Sequence, residues 1–157
     1  MSTLAVNQIT TQTGDTISVA TGKTIHAPGH VVQVIEGLST TDEAITSTSA
    51  FVNTTISAVI TPKFNNSLIK LECLFHYHIK TGVNGGRMML ARDVGGTITD
   101  LTSSSQELRC EKYGTYAGQQ YWYFPFTLFA TDTPATTSAT TYRLRVNTTD
   151  SSGIEIF

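Results

Sequence analysis

The sequence predicts an all-β protein: an antiparallel, jelly-roll-like β-sandwich head preceded by a short N-terminal β-repeat stalk or arm. Three observations predict it. Apolar residues recur at period 2 in short runs bounded by Gly, Pro, Asn and Asp, the signature of half-buried strands. Helical periodicity is almost absent. Threonine supplies about one residue in six and charged residues only 14%, a composition that favours strands and turns over helices.

Taken in order, residues 30–35 open the series of strands. Residues 39–50, STTDEAITSTSA, have a helix-start look, with Ser39, Thr40 or Thr41 as cap and Glu43 behind. The rest of this segment is too rich in Ser and Thr to sustain a helix, so it reads as a loop with at most one helical turn. Residues 50–61 alternate Val52, Thr54, Ile56, Ala58 and Ile60 against Asn53, Thr55 and Ser57. Residues 68–80 alternate most clearly. Their inner phase is Ile69, Leu71, Cys73, Phe75 and Tyr77, and their outer phase carries Lys70, Glu72, His76, His78 and Lys80.

TGVNGG and DVGGT then bracket a strand at 87–92, and a short one comes after them at 98–101; both Gly-rich segments read as tight reversals. Residues 108–113 form the next strand. After the turn GTYAG comes the aromatic run QQYWYFPFTLFAT, with Trp122, Phe124, Phe126, Leu128 and Ala130 in one phase. Pro125 inside it predicts a sheet edge or a bulge. Tyr142, Leu144 and Val146 alternate with Arg143 and Arg145, and residues 154–157 close the chain. About eight short strands without a long crossover helix predict the sandwich.

A chain of 157 residues accommodates one domain with a real core plus a short appendage. The break falls at HAPGH, Pro28 and Gly29, dividing a stalk or anchor at 1–29 from a head at 30–157. Within the first part TGDTI and TGKTI start eight residues apart. Gly14 and Gly22 take the first central position of a turn, where positive φ is easy for glycine, and each turn delivers an isoleucine, Ile17 or Ile25. A single hairpin there is marginal in water. Two readings stay open: three copies wind together and share Val6, Ile9, Ile17, Val19 and Ile25 along a common axis, or the segment is a hairpin or arm that orders on a partner.

A formal net charge of -2, with Lys and Arg scattered, gives no basic face for nucleic acid. The N-terminus lacks a basic segment leading into an apolar stretch, and no run of about 18 apolar residues occurs, so neither a signal peptide nor membrane insertion is expected. Cys73 and Cys110 are too few for a disulfide framework, and Cys73, in an apolar strand phase, reads as a buried free thiol.

His76 and His78, two apart on a strand, point the same way, with Glu72 on that face. They form a weak metal candidate, since third and fourth ligands are missing and the other histidines, His26 and His30, lie in the linker. The expectation is therefore no metal and no cofactor. No GxxxxGK[ST], GxSxG, HExxH or CxxC occurs, the Gly-rich segments join strands rather than open helices, and Asp93, Asp100, Glu107 and Glu111 share no evident face; no enzyme is expected. The N-x-[ST] triplets at Asn53, Asn65 and Asn147 are chance in so Ser- and Thr-rich a chain. Tyr113, Tyr116, Tyr121 and Tyr123 form an aromatic surface suited to a subunit interface or to stacking on a ligand, above all a sugar.

Three stretches carry a resemblance. "N-x-I-T-T-x-x-G" at Asn7 to Gly14, "P-G-x-V-V-Q-V" at Pro28 to Val34 and "D-x-P-A-T-T-S-A-T-T-Y" at Asp132 to Tyr142 resemble the small fibre-like virion structural proteins of tailed bacteriophages, including those of aquatic bacteria and cyanobacteria. The resemblance implies a virion component, assembled in the host cytoplasm, whose partners are other capsid or tail proteins, with no catalytic residues to carry over. Combined with the repeats it implies a homotrimeric tail fibre, spike or head decoration; the alternative is a carbohydrate-binding module that recognises host surface glycan. Such proteins usually run further beyond the strand of Tyr142, which leaves open whether the last sheet edge is completed within one subunit.

Overall fold

The computed structural model describes Thr21 and residues 29–79, 85–101, 108–111, 122–149 and 153–157. The chain divides into two units, Met1–Val34 and Ile35–Phe157. The second is all-β. In chain order its strands are β1 (Glu43–Ile45), β2 (Val52–Ile60), β3 (Ile69–Ile79), β4 (Gly85–Val94), β5 (Thr97–Asp100), β6 (Leu108–Glu111), β7 (Trp122–Asp132), β8 (Thr140–Thr148) and β9 (Ile154–Ile156).

They form two antiparallel sheets. The first has the order β1-β9-β3-β7; the second has the order β2-β8-β4-β5, with β5 paired to the end of β4 and β6 to its start. The longest pairing joins β3 to β7 without a break from Ile69↔Asp132 to Ile79↔Trp122. That register sets Leu71 opposite Ala130, Cys73 opposite Leu128 and Phe75 opposite Phe126. The apolar phases of the two strands therefore coincide, and a slip by one residue would turn one of them outward.

The core lies between the sheets. Phe75, Tyr77, Ile45, Ile154 and Ile156 of the first sheet meet Met88, Leu90, Leu144 and Val146 of the second. Phe126 packs its ring 5.1 Å from that of Tyr77 and 6.4 Å from that of Phe75. Cys73 is half-buried beside this cluster as a free thiol, and burial pushes its pKa up to about 11.

One end of the sandwich is closed by a polar lock. Asp132 at the end of β7 accepts from Arg92 Nη1 of β4 at 2.8 and 3.0 Å and from the Tyr142 hydroxyl of β8 at 2.7 Å. The three residues tie the two sheets together, and each carboxylate oxygen is used, as burial of the charge requires. Burial, and then the hydrogen bond to Asp132, hold the Tyr142 phenol well above its ordinary pKa.

The β4–β5 reversal is the expected DVGGT turn. Gly95 and Gly96 both have positive φ, 59° and 88°, the pair of conformations that a two-residue hairpin loop needs and that side chains resist. Asp93 Oδ1 accepts the Gly96 N–H at 2.9 Å. Of the two places that the missing donor of Pro125 predicts, an edge or a bulge, the residue takes the first: among the described strands β7 is an edge, and its register with β3 is unbroken at Pro125.

Two expectations are corrected. Residues 30–35 form no strand; their alternation is real, but no strand among the described residues pairs with it. Conversely, residues 43–45 form a strand inside the segment expected to be a loop. β1 exists because β9, more than a hundred residues away, pairs with it at Glu43↔Ile156 and Ile45↔Ile154, a contact that local pattern does not encode. Glu43 then fastens the strand to β2 by accepting the Thr55 N–H at 2.6 Å and the Thr55 hydroxyl. The final strand is not a sheet edge: β9 lies between β1 and β3 of its own chain.

Candidate functional site

The outer face of the first sheet carries the singled-out residues that are described, His76, His78 and Tyr123. Side chains of like parity on β3 and β7 share that face, so Lys70, Glu72, Leu74, His76 and His78 stand beside Thr131, Phe129, Thr127, Pro125 and Tyr123 in that order. Glu155 of β9 stands on the other side of His78.

His78 departs from the expected exposed polar face. Only 3% of it is exposed, because its ring is stacked against Tyr123 at 4.8 Å with 13° between planes and flanked by Phe157 at 6.5 Å. Its Nδ1 lies 3.1 Å from Glu155 Oε2; a carboxylate accepts, so Nδ1 carries the proton. His76 is exposed. The weak metal pair is thus split in environment: one histidine is committed to packing and to Glu155, the other faces solvent. Among the described residues no group of three or more His, Cys, Asp or Glu side chains is placed to hold one metal ion.

Tyr123 is the consequence of this arrangement. The residue is 62% exposed, backed on one ring face by the buried His78 ring and bordered by Phe157 at 6.0 Å. Its orientation is therefore held from behind while its free side faces solvent. Further along the same face Leu74 and Phe129 are exposed to similar extents. Of these residues the sequence singles out Tyr123 but not Glu155, Phe157, Leu74 or Phe129. The outward phase of Phe129 and Leu74 is the signal that could have found them.

On the outer face of the second sheet Asp93 and Asp100 stand together, contrary to the expectation that they share no face. Opposition of Ala91 to Asp100 and of Asp93 to Ile98 puts both carboxylates on one side. Each is held by an arginine of β8, Asp93 by Arg143 at 2.8 Å and Asp100 by Arg145. Arg145 also donates to the Phe51 carbonyl at 2.9 Å. These carboxylates fasten strands to one another.

The proposed stalk residues Val6, Ile9, Ile17, Val19 and Ile25, and the aromatic residues Tyr113, Tyr116 and Tyr121, lie outside the described residues. Comparison with known protein families, with curated proteins and with solved structures finds no match to the chain.

Proposed function

We propose that the protein is a non-enzymatic structural component of a tailed-phage virion, a homotrimeric fibre, spike or head-decoration protein with an N-terminal anchor and a jelly-roll head. The observation that carries this reading is the use of charge in the sandwich. Asp132, Asp93 and Asp100, each paired with an arginine, tie strand to strand or sheet to sheet, which suits a rigid part that has no disulfide framework to stiffen it. The strand order, β1-β9-β3-β7 facing β2-β8-β4-β5, supports the jelly-roll reading, an architecture used by capsid and lectin domains. The anchor reading comes from the two octads, whose isoleucines need partners from other chains to be buried.

The test is incorporation. A tagged full-length chain assembles into purified particles, and labelled electron micrographs place it on tail or capsid; a chain found only in the unassembled fraction overturns the reading. A second reading has its own observation, the Tyr123 ring presented on His78. An aromatic ring with one open face binds the apolar face of a sugar, and a glycan array in which binding is lost on Tyr123→Ala tests a receptor-binding role.

A further inference from the structure

β2 is an edge of its sheet, with β8 on one side and no strand among the described residues on the other. Such an edge presents unused backbone donors and acceptors and invites another chain to pair with it. Its register with β8 shifts between Asn53 and Ser57, the mark of a bulge, which takes backbone groups out of the ladder. On the β8 side the Thr54 hydroxyl stands in for a ladder bond by donating to the Leu144 carbonyl at 3.0 Å. On the open side the Glu43 carboxylate accepts the Thr55 N–H at 2.6 Å.

Residues 35–41 lie on that open side. Gly37 is beside Ser57, so close that a Cβ on it would fall 2.1 Å from the Ser57 carbonyl oxygen and 3.0 Å from the Ala58 Cβ. Ser39 is beside Thr55, with 2.6 Å between Oγ and Oγ1. Two residues forward in this segment are thus two residues backward in β2, the relation of neighbouring antiparallel strands. The segment follows the line that a further strand would take. Continued by one more step, the relation matches Ile35, 44% exposed, with Val59, 55% exposed.

Yet the segment is not a strand of the sheet. Among the described residues no backbone hydrogen bond joins residues 35–41 to β2. Side chains hold it instead: Ser39 meets the Thr55 hydroxyl, and just beyond the segment Glu43 of β1 binds both the N–H and the hydroxyl of the same threonine. Gly37 contributes by lacking a side chain where one has no room.

We infer that residues 35–43 are a releasable guard on the edge of β2, which closes that edge to strand addition while in place and opens it when the contacts of Ser39 and Glu43 with Thr55 are given up. A further strand would use the ladder of β2, and a loop that only packed would have no reason to follow β2 in register; this segment follows the register and leaves the ladder unused. Covering an edge with a loop and bending it with a bulge are two known protections against edge-to-edge association, and here the loop is fastened at the bulge. The inference concerns the head alone and goes beyond the virion reading, on which it does not rest.

Amide hydrogen exchange and light scattering of the full-length chain test it. Glu43→Ala adds no atoms and removes the acceptor. It is expected to speed exchange of the Thr55 N–H at least about tenfold and to give assemblies larger than those of the wild type at the same concentration, so that the oligomeric state of the wild type itself does not enter. Gly37→Val, whose side chain has no room against Ser57, is expected to do the same. Adding Val59→Lys to either variant puts a charge on the opened edge and is expected to restore the wild-type assembly size. Circular dichroism and cooperative melting check that each head is folded; if Gly37→Val does not fold, Glu43→Ala with and without Val59→Lys decides. Exchange of the Thr55 N–H as slow in Glu43→Ala as in the wild type overturns the inference, and so does faster exchange without larger assemblies. Larger assemblies that Val59→Lys leaves unchanged overturn it as well, because they form through another surface.

Discussion

The Tyr142 hydroxyl donates to Asp132 Oδ2 at 2.7 Å across the gap between the two sheets. Arg92, on the strand beside that of Tyr142, holds the same carboxylate through both oxygens. One aspartate at the end of an edge strand thus joins three strands from two layers.

Asp132→Ala leaves Arg92 without its counter-charge and the phenol without its acceptor in a largely buried place. Removing one partner of a buried pair costs about 3 to 5 kcal/mol. Urea unfolding is expected to show that loss, and Asp132→Asn, which keeps an acceptor for Tyr142, a smaller one. An unchanged midpoint in both would show that the lock contributes no stability.

Phe75 is fully buried, with Phe126 stacked at 6.4 Å. Phe75→Ala is expected to cost about 3 to 5 kcal/mol. Phe129→Ala, on the opposite face of the same sheet, is expected to change the stability of the separated chain by no more than about 0.5 kcal/mol. Equal costs for the two would contradict the assignment of faces.

Alkaline pH should unfold the protein through two groups. Cys73 titrates at about 11 in the fold against an ordinary 9.0, and Tyr142 is likewise raised above its ordinary 10.0. A raised folded pKa means that the protonated group stabilises the fold at any pH below the unfolded value and that this contribution is lost as pH rises beyond it. The urea midpoint is therefore expected to hold steady up to about pH 8.5 and to fall from about pH 9 upward. Cys73→Ala and Tyr142→Phe should each flatten the fall, and midpoints that rise above about pH 9 would reverse the sign. At about pH 8 a thiol reagent should modify Cys73 only on unfolding, because the thiolate is the reactive form.

Ile17→Asp together with Ile25→Asp sets carboxylates along the shared axis proposed for the N-terminal repeats, where an unpaired buried charge is strongly unfavourable. The expected outcome is loss of particle incorporation with the far-ultraviolet circular dichroism of the head retained. A chain beginning at His30 should behave in the same way. Normal incorporation of either would move the contact from the repeats to the head, and the role from projecting fibre to capsid cement.

Sequence alone determined the all-β class and the phase of its longest strands. Alternation at period 2 is a local property, and burial of one face results from it, so Phe75, Tyr77, Leu144 and Val146 are buried as their spacing predicts. Pro125 could be assigned to an edge or a bulge for an equally local reason, the missing donor, and the unbroken β3–β7 register decided between them. Tertiary structure decided what depends on partners distant in the chain. β1 is a strand only because β9 reaches it, and residues 30–35, with a better strand pattern, form no strand in their own chain. His78 has the phase of an exposed residue, yet Tyr123, Phe157 and Glu155 converge on it from β7 and the C-terminal strand and bury it. Asp93 and Asp100 share a face only once the turn at Gly95 and Gly96 folds one strand back on the other. Alternation states which way a side chain points; which neighbours meet it there is set by the pairing of strands, and that pairing is not a local property.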